Sequence, residues 1–306
     1  MAHSAIAPRI LCIGIPVRDL TFRVEAVPER GSKANATHLA EICGGNALNA
    51  AIAMARLGGR IAFAGPMGDA LETSSGFILE RMTAEGIETS HLVRVPGATT
   101  PVSAIIIDAS GERTLTIYRD PALWRVKLSD ADELLADCQA VLVESRCGAF
   151  CVDLCTEARR RGIPVIVGVD RAMALTDDLL TTASHLLFAS EQVQETADIN
   201  DDGEALKRLA ELTPAFLAAT RGPEGTIWLN EAGRLEETPA FPVEAVDTLG
   251  AGDVFHGAFT LRLAELGDLR EALRFAAAAA ALKCTRHGGG LAAPQRIEVE
   301  GLLRGT

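Results

Sequence analysis

Aromatic residues are scarce in this chain, 4% of 306 residues with one Tyr and two Trp. That scarcity argues against extended platforms for stacking nucleic-acid bases. Positive charge is also in deficit: the formal net charge is −12 and the isoelectric point is near 5.0. General attraction to nucleic acid or to anionic membrane surfaces needs clustered Lys and Arg, so neither partner is expected and any phosphate site must be built locally. The seven cysteines, odd in number and scattered, do not make the framework of a small secreted domain. Cys147, Cys151 and Cys155 fall at i, i+4, i+8, but no His or further Cys completes a metal-ligand spacing. They read as small apolar residues on a buried helical stripe. Long apolar runs are missing as well. Met1–Arg9 has no apolar stretch after a basic region, and Phe275–Leu282 is too short to cross a bilayer, so a cytoplasmic protein is expected.

What is present is an alternation of short apolar runs with longer amphipathic ones, the pattern of a parallel sheet with crossover helices. Strands are expected at Ile10–Ile15, Ile61–Ala64, Ala140–Val143, Pro164–Val169, His185–Phe188, Ala215–Ala219 and Thr226–Leu229. Helical spacing covers Ala47–Leu57, Gly76–Glu85, Val152–Arg161 and Ala205–Leu212. The expected fold is one doubly wound α/β domain over 1–306. Two segments break the rhythm, 21–42 and 93–118; in the second, Val102–Ile107 and Thr114–Tyr118 flank a Ser110-Gly111 turn as a hairpin does. They read as a small inserted sheet. Val102, Ser103, Ala104, Ile105 and Ile106 put apolar groups on both of its faces, so one face is expected to lid a cleft and the other to meet a second copy of the chain.

Two stretches carry chemistry. In Asp247-Thr248-Leu249-Gly250-Ala251-Gly252-Asp253, small residues precede the amphipathic run Val254–Leu266. Backbone N–H groups at that helix start can bind an anion, and Asp253 in the first turn can take a proton from an attacking hydroxyl. A structural alternative is a Gly-rich helix entry with a capping Asp. A dinucleotide fingerprint is excluded because its third Gly would fall on Phe255, and no G-x-x-x-x-G-K-[ST] run exists. The other stretch, Gly44-Gly45-Asn46-Ala47-Leu48-Asn49, opens a helix with two glycines and two amides one turn apart, an arrangement suited to sugar hydroxyls or to simple capping.

Together these stretches resemble the two signature regions of the PfkB carbohydrate kinases, in the family's order and separation, and the resemblance spans nearly the whole chain. It includes Asp19 after the first strand, the Gly65-Pro66-Met67-Gly68-Asp69 turn, and Thr220-Arg221-Gly222-Pro223-Glu224-Gly225. The run Ala281–Gly289 is similar to the ketohexokinase and sulfofructose kinase branch. The resemblance implies an ATP- and Mg²⁺-dependent kinase with Asp253 as base and Gly250, Ala251 and Gly252 as the anion hole. It places the sugar on Asp19, Gly44, Gly45 and Asn49, and the nucleotide on Thr220, Gly222, Gly225 and the helix pair around Ala280. Asp247 belongs in the family to a monovalent-cation site, which adds K⁺, although the Thr common at position 249 is Leu249 here. The family's Asn-x-x-Glu motif is also altered, to Ser190-Glu191-Gln192-Val193, with Glu191 or Glu195 as alternative carboxylates.

Arg146, past the strand Ala140–Val143, and Lys33 in the lid segment are expected to grip an anionic substituent on the sugar, the alternative being a surface ion pair. A nucleoside kinase and a silent sugar- or nucleotide-binding regulator are the competing functions. Scarce aromatics weigh against the first, the intact Asp253 against the second.

Overall fold

The computed structural model describes residues 7–305. Most of Met1–Arg9, where the absence of a leader was read, lies outside the described residues. In chain order the strands are β1 (Arg9–Ile13), β2 (Val17–Arg23), β3 (His38–Gly44), β4 (Arg60–Met67), β5 (Glu88–Arg94), β6 (Val102–Ile107), β7 (Arg113–Tyr118), β8 (Cys138–Glu144), β9 (Val165–Val169), β10 (His185–Ala189), β11 (Phe216–Thr220), β12 (Thr226–Leu229) and β13 (Leu235–Thr238). Nine of them form the main sheet, in the order β13-β12-β11-β10-β9-β8-β1-β4-β5. Its pairings are parallel except those of β12 with β11 and β13. β1 and β9 are buried throughout because helices cover both faces, which is why they read as unbroken apolar runs rather than as alternation.

On one face lie α1 (Asn46–Arg56), α2 (Thr73–Ala84), α8 (Ala251–Leu266), α9 (Leu269–Cys284) and α10 (Arg296–Arg304). On the other lie α3 (Ala131–Leu134), α4 (Gly148–Arg160), α5 (Asp178–Thr182), α6 (Ser190–Ala197) and α7 (Asp202–Ala210). The strand order turns around between β1 and β8, so the carboxyl ends of these two strands flank the crevice where such sheets bind ligands. Cys147, Cys151 and Cys155 are buried in the second layer, and burial pushes the Cys147 thiol up.

Small residues bring α8 against its neighbours. A Cβ on Gly257 would come 2.5 Å from the Ala50 carbonyl oxygen of α1, and one on Gly168 of β9 would come 2.6 Å from His256 Nδ1. Such close contact leaves no room for larger side chains and sets the start of α8 beside α1.

β3, β2, β6 and β7 form a separate four-stranded sheet. Its limits differ from the expected 21–42 and 93–118. The first lid strand begins at Val17, and 93–94 belong to β5, which pairs with β4 at the edge of the main sheet. Gly65-Pro66-Met67 likewise continues β4 instead of turning, because Gly65 lies directly on the Gly14 carbonyl, where a side chain would collide. Asp19, Thr21, Ser103 and Ile105 share one face by register. Leu20, Phe22, Ala104 and Ile106 share the other, and all four are only half-buried.

Candidate active site

Gly250 precedes α8 in the left-handed region (φ 77°), a conformation that costs Gly little, and no side chain caps the helix. The Ala251 N–H donates to the Thr248 carbonyl at 3.2 Å, so it is not free for a ligand as expected. The N–H groups of Gly252 and Asp253 have no partner among the described residues and point from the start of a 16-residue helix. Unpartnered N–H groups at a helix start suit an anion, even in an acidic protein.

The Asp253 carboxylate is held from α1. Asn49 Nδ2 donates to Asp253 Oδ2 at 2.7 Å, across 204 positions of sequence. Asn49 itself is 8% exposed and backs onto Gly290, where any side chain would strike its amide oxygen. Burial pushes the Asp253 carboxyl up to about 7; Asp170 and Asp19 add to the rise, while the Asn49 bond and the Lys283 charge oppose it. A group poised there is suited to proton abstraction near neutral pH.

Other acids converge on the same floor. Asp19, on β2, accepts a short hydrogen bond from the Ser103 hydroxyl of β6. Its carboxylate occupies the space that a Gly44 side chain would fill, so glycine at 44 is required by contact with Asp19. Burial raises the Asp19 carboxyl to about 6, against the Ser103 bond and Arg119. Gly45 then enters α1 with φ 97°, its Cα facing the Ile15 carbonyl oxygen, 2.7 Å from where a Cβ would sit. Asn46 follows at the first helical position, half-buried.

Sequence reasoning missed Glu144, Asp170 and Arg119. Glu144 ends β8 at the switch point, is 6% exposed, and accepts from the Ile15 N–H at 3.4 Å. Burial, then the Asp170 charge, pushes its carboxyl up to about 7, against the Ile15 bond and Arg146. Asp170 follows β9. A charged residue directly after an apolar strand was the available signal for both. Arg119, at the end of β7, is half-buried among Asp19, Glu144 and Asp170; burial first, then Arg146, lowers its pKa.

The expected anion grip is altered. Arg146 donates through Nε (3.1 Å) and Nη2 (2.8 Å) to Asp170 Oδ2, so its fork is committed within the protein. Lys33 is exposed on the loop between β2 and β3 and is not brought into this cluster of acids.

On the far side of the crevice, a cleft of about 500 Å³ is lined by Ser190, Gln194, Asp202, Thr220, Gly222 and Glu224. Asp202 there accepts from Ser190 Oγ (2.8 Å) and from Gln194 Nε2 (2.8 Å). Val193 is fully buried, so the altered motif leaves no carboxylate at that position. Gly225 packs on the backbone at 238–240, which a side chain would strike. Ala280, half-buried on α9, borders the core. A larger cleft, about 630 Å³, lies between the lid and the Asp247 loop, lined by Arg23, Asp108, Arg113, Thr248 and His287. Asp253 is not in its walls, so converging carboxylates rather than cavity size mark the chemistry.

The chain thus combines a crevice at the switch point of a doubly wound sheet, a separate four-stranded sheet and an Asp at a helix start. Residues 7–296 match the pfkB family of carbohydrate kinases. The chain belongs to that family. It is 30% identical to the ribokinase of Bacillus subtilis over 298 residues, 96% of this chain and 99% of that one. A crystal structure from Agrobacterium tumefaciens is 35% identical, with TM-score 0.92 and 98% of each chain covered. The Arabidopsis thaliana ribokinase complexed with ribose and ATP has the same fold at 23% identity, TM-score 0.87, covering 97% of this chain and 99% of that one. This pfkB-family protein is thus a phosphotransferase with an alcohol group as acceptor. Among its described residues no helix is long and apolar enough to cross a membrane.

Proposed function

We propose that this kinase transfers the γ-phosphoryl group of ATP to a hydroxyl of a small, uncharged carbohydrate, with Asp253 as general base. The observation that carries the reading is the Asp253 carboxylate, bonded to Asn49, in the same helical turn as the unpartnered Gly252 N–H. Base and anion donors on one turn suit in-line transfer, where catalysis is mostly positioning and charge stabilisation. Asp19, Glu144 and Asn49 favour a ligand rich in hydroxyl donors, because carboxylates accept from O–H groups and repel an anionic substituent. Commitment of Arg146 to Asp170 supports the same choice over a sugar acid or sulfonated sugar. Gly44, Gly45 and Asn46 complete the sugar side, and Thr220, Gly222, Gly225 and Ala280 the nucleotide side.

Mg²⁺, when bound with the nucleotide, neutralises phosphate charge. Asp202, oriented by Ser190 and Gln194, is a hard oxygen donor that fits such an ion through water, in place of the motif lost at Val193. The outer lid face of Leu20, Phe22, Ala104 and Ile106 supports a homodimer through this sheet. A nucleoside acceptor is disfavoured by the shortage of aromatic side chains to stack a base.

The test is ADP release with pentoses, ketohexoses, sugar acids and nucleosides, for the wild type and Asp253→Asn. Asn retains volume and an accepting oxygen but cannot take the proton, so kcat should fall by about 10²–10⁴ with ATP binding kept. A folded variant retaining more than about a tenth of kcat refutes the base assignment.

A further inference from the structure

The resemblance to the family implies a monovalent cation at Asp247, and here the oxygen atoms for it are engaged by a side chain. Lys283, in the last turn of α9, is 0% exposed. Its Nζ donates to the Asp247 carbonyl at 2.7 Å and lies 3.5 Å from Asp247 Oδ2. The other hydrogen bonds to the Asp247 carboxylate also come from donors: Leu249 N–H to Oδ1 at 2.9 Å and Gly288 N–H to Oδ2 at 3.1 Å. A metal cation and a buried ammonium cannot share that carbonyl and carboxylate, since two positive charges a few ångströms apart in a dry site repel strongly.

We propose that the Lys283 ammonium is a tethered monovalent cation that positions the anion-binding start of α8, so that this kinase works without added K⁺. The inference rests on the phosphoryl-transfer reading of Gly250–Asp253. The route from the charge to the site is short. The Cys284 carbonyl, next to Lys283, accepts from the N–H groups of Val246 (2.8 Å) and Asp247 (3.1 Å), locking the loop to the end of α9. One residue on, the Thr248 carbonyl accepts the Ala251 N–H and sets the turn at Gly250. Lys283 thus acts in place of an ion, through the loop and through its field on Asp253. Burying an ammonium costs several kcal/mol unless it is paired and hydrogen-bonded, and a residue with no such task would be an aliphatic one. Lys283 is a positioning residue: it holds a backbone turn and touches no reacting atom.

The experiment compares KCl, NaCl and tetramethylammonium chloride at one ionic strength, with kcat/KM and thermal midpoint as separate readouts. Wild type should show less than about a twofold spread in kcat/KM and no salt-specific shift in midpoint. Lys283→Met should lose about tenfold or more in tetramethylammonium and regain activity in K⁺, with a K⁺-specific rise in midpoint, because the emptied site then binds the ion. Lys283→Ala, which leaves more room, should follow the same pattern. If Lys283→Met fails to fold, the wild type and Lys283→Ala decide.

Strong activation of the wild type by K⁺ overturns the proposal. So does a Lys283 variant that keeps wild-type activity in tetramethylammonium, or one whose losses respond to no cation in either readout, the signature of a packing role. A wild type inactive on every sugar sinks the kinase reading instead, while the cation response of the variants' thermal midpoints still reports on Lys283.

Discussion

Asn49 should govern the pH at which the kinase switches on. Among the described residues its amide is the one side chain that donates to the Asp253 carboxylate, at 2.7 Å, and it opposes the burial that raises that carboxyl to about 7. A hydrogen bond to a charged group contributes about 1.5–3 kcal/mol. At about 1.4 kcal/mol per pKa unit, and discounting for the water that still reaches Asp253, Asn49→Leu should raise the carboxyl by about one unit. The acid limb of kcat/KM, which reports the free enzyme, then moves from about pH 7 to about pH 8. Relative to its own alkaline plateau, the variant should be about tenfold lower than wild type near pH 6 and about fivefold lower near pH 7. The plateau itself should drop for a separate reason, loss of the sugar contact proposed for Asn49, and is not diagnostic. The assay is initial ADP release across about pH 5.5–9.5 at saturating Mg-nucleotide and low sugar, with melting curves as a control for folding. Acid limbs that superimpose after normalisation refute the coupling. Because the Asp170 and Asp19 charges raise Asp253 while the Asp253 charge raises Glu144, the limb belongs to the cluster, and its displacement rather than its absolute position is the measured quantity.

Glu144 gives a stability test of the same electrostatics. Its carboxyl is raised from 4.5 to about 7 in the folded protein, so the folded state resists ionisation. Stability is then highest below the unfolded value and falls as pH rises through the window between the two values. Glu144→Gln should raise stability by about 1–3 kcal/mol near pH 8 and leave it unchanged near pH 4, read by urea melts; parallel curves count against burial as the cause. Gly44→Ala puts a methyl where the Asp19 carboxylate lies, so KM for the sugar should rise about tenfold or more while nucleotide binding persists, and an unchanged KM would remove Asp19 from the sugar site. Ile106→Asp on the outer lid face should convert a dimer to a monomer in light scattering, whereas a wild type that is monomeric at every concentration rules out the lid dimer.

Much of this molecule is determined by local pattern. Alternating apolar runs fix a parallel sheet because strands buried on both faces must be continuously apolar, and β9 reads that way in the chain as in the fold. The turn at Gly250 and the acid at Asp253 are adjacent in sequence, so their chemistry is legible without coordinates. The edge strands β5 and β13 escaped notice because each packs on one side only and carries polar residues, as in Leu235-Glu236-Glu237-Thr238. Other features depend on approach between distant segments. Asn49 meets Asp253 only because Gly257 lets α8 touch α1, and Glu144 joins them only because β8 lies next to β1. The committed fork of Arg146 on Asp170 and the ammonium of Lys283 against Asp247 were likewise decided by tertiary structure. A sequence shows which charges a chain carries, but whether a charge is spent on a neighbour or left for a ligand depends on distances of a few ångströms set by packing.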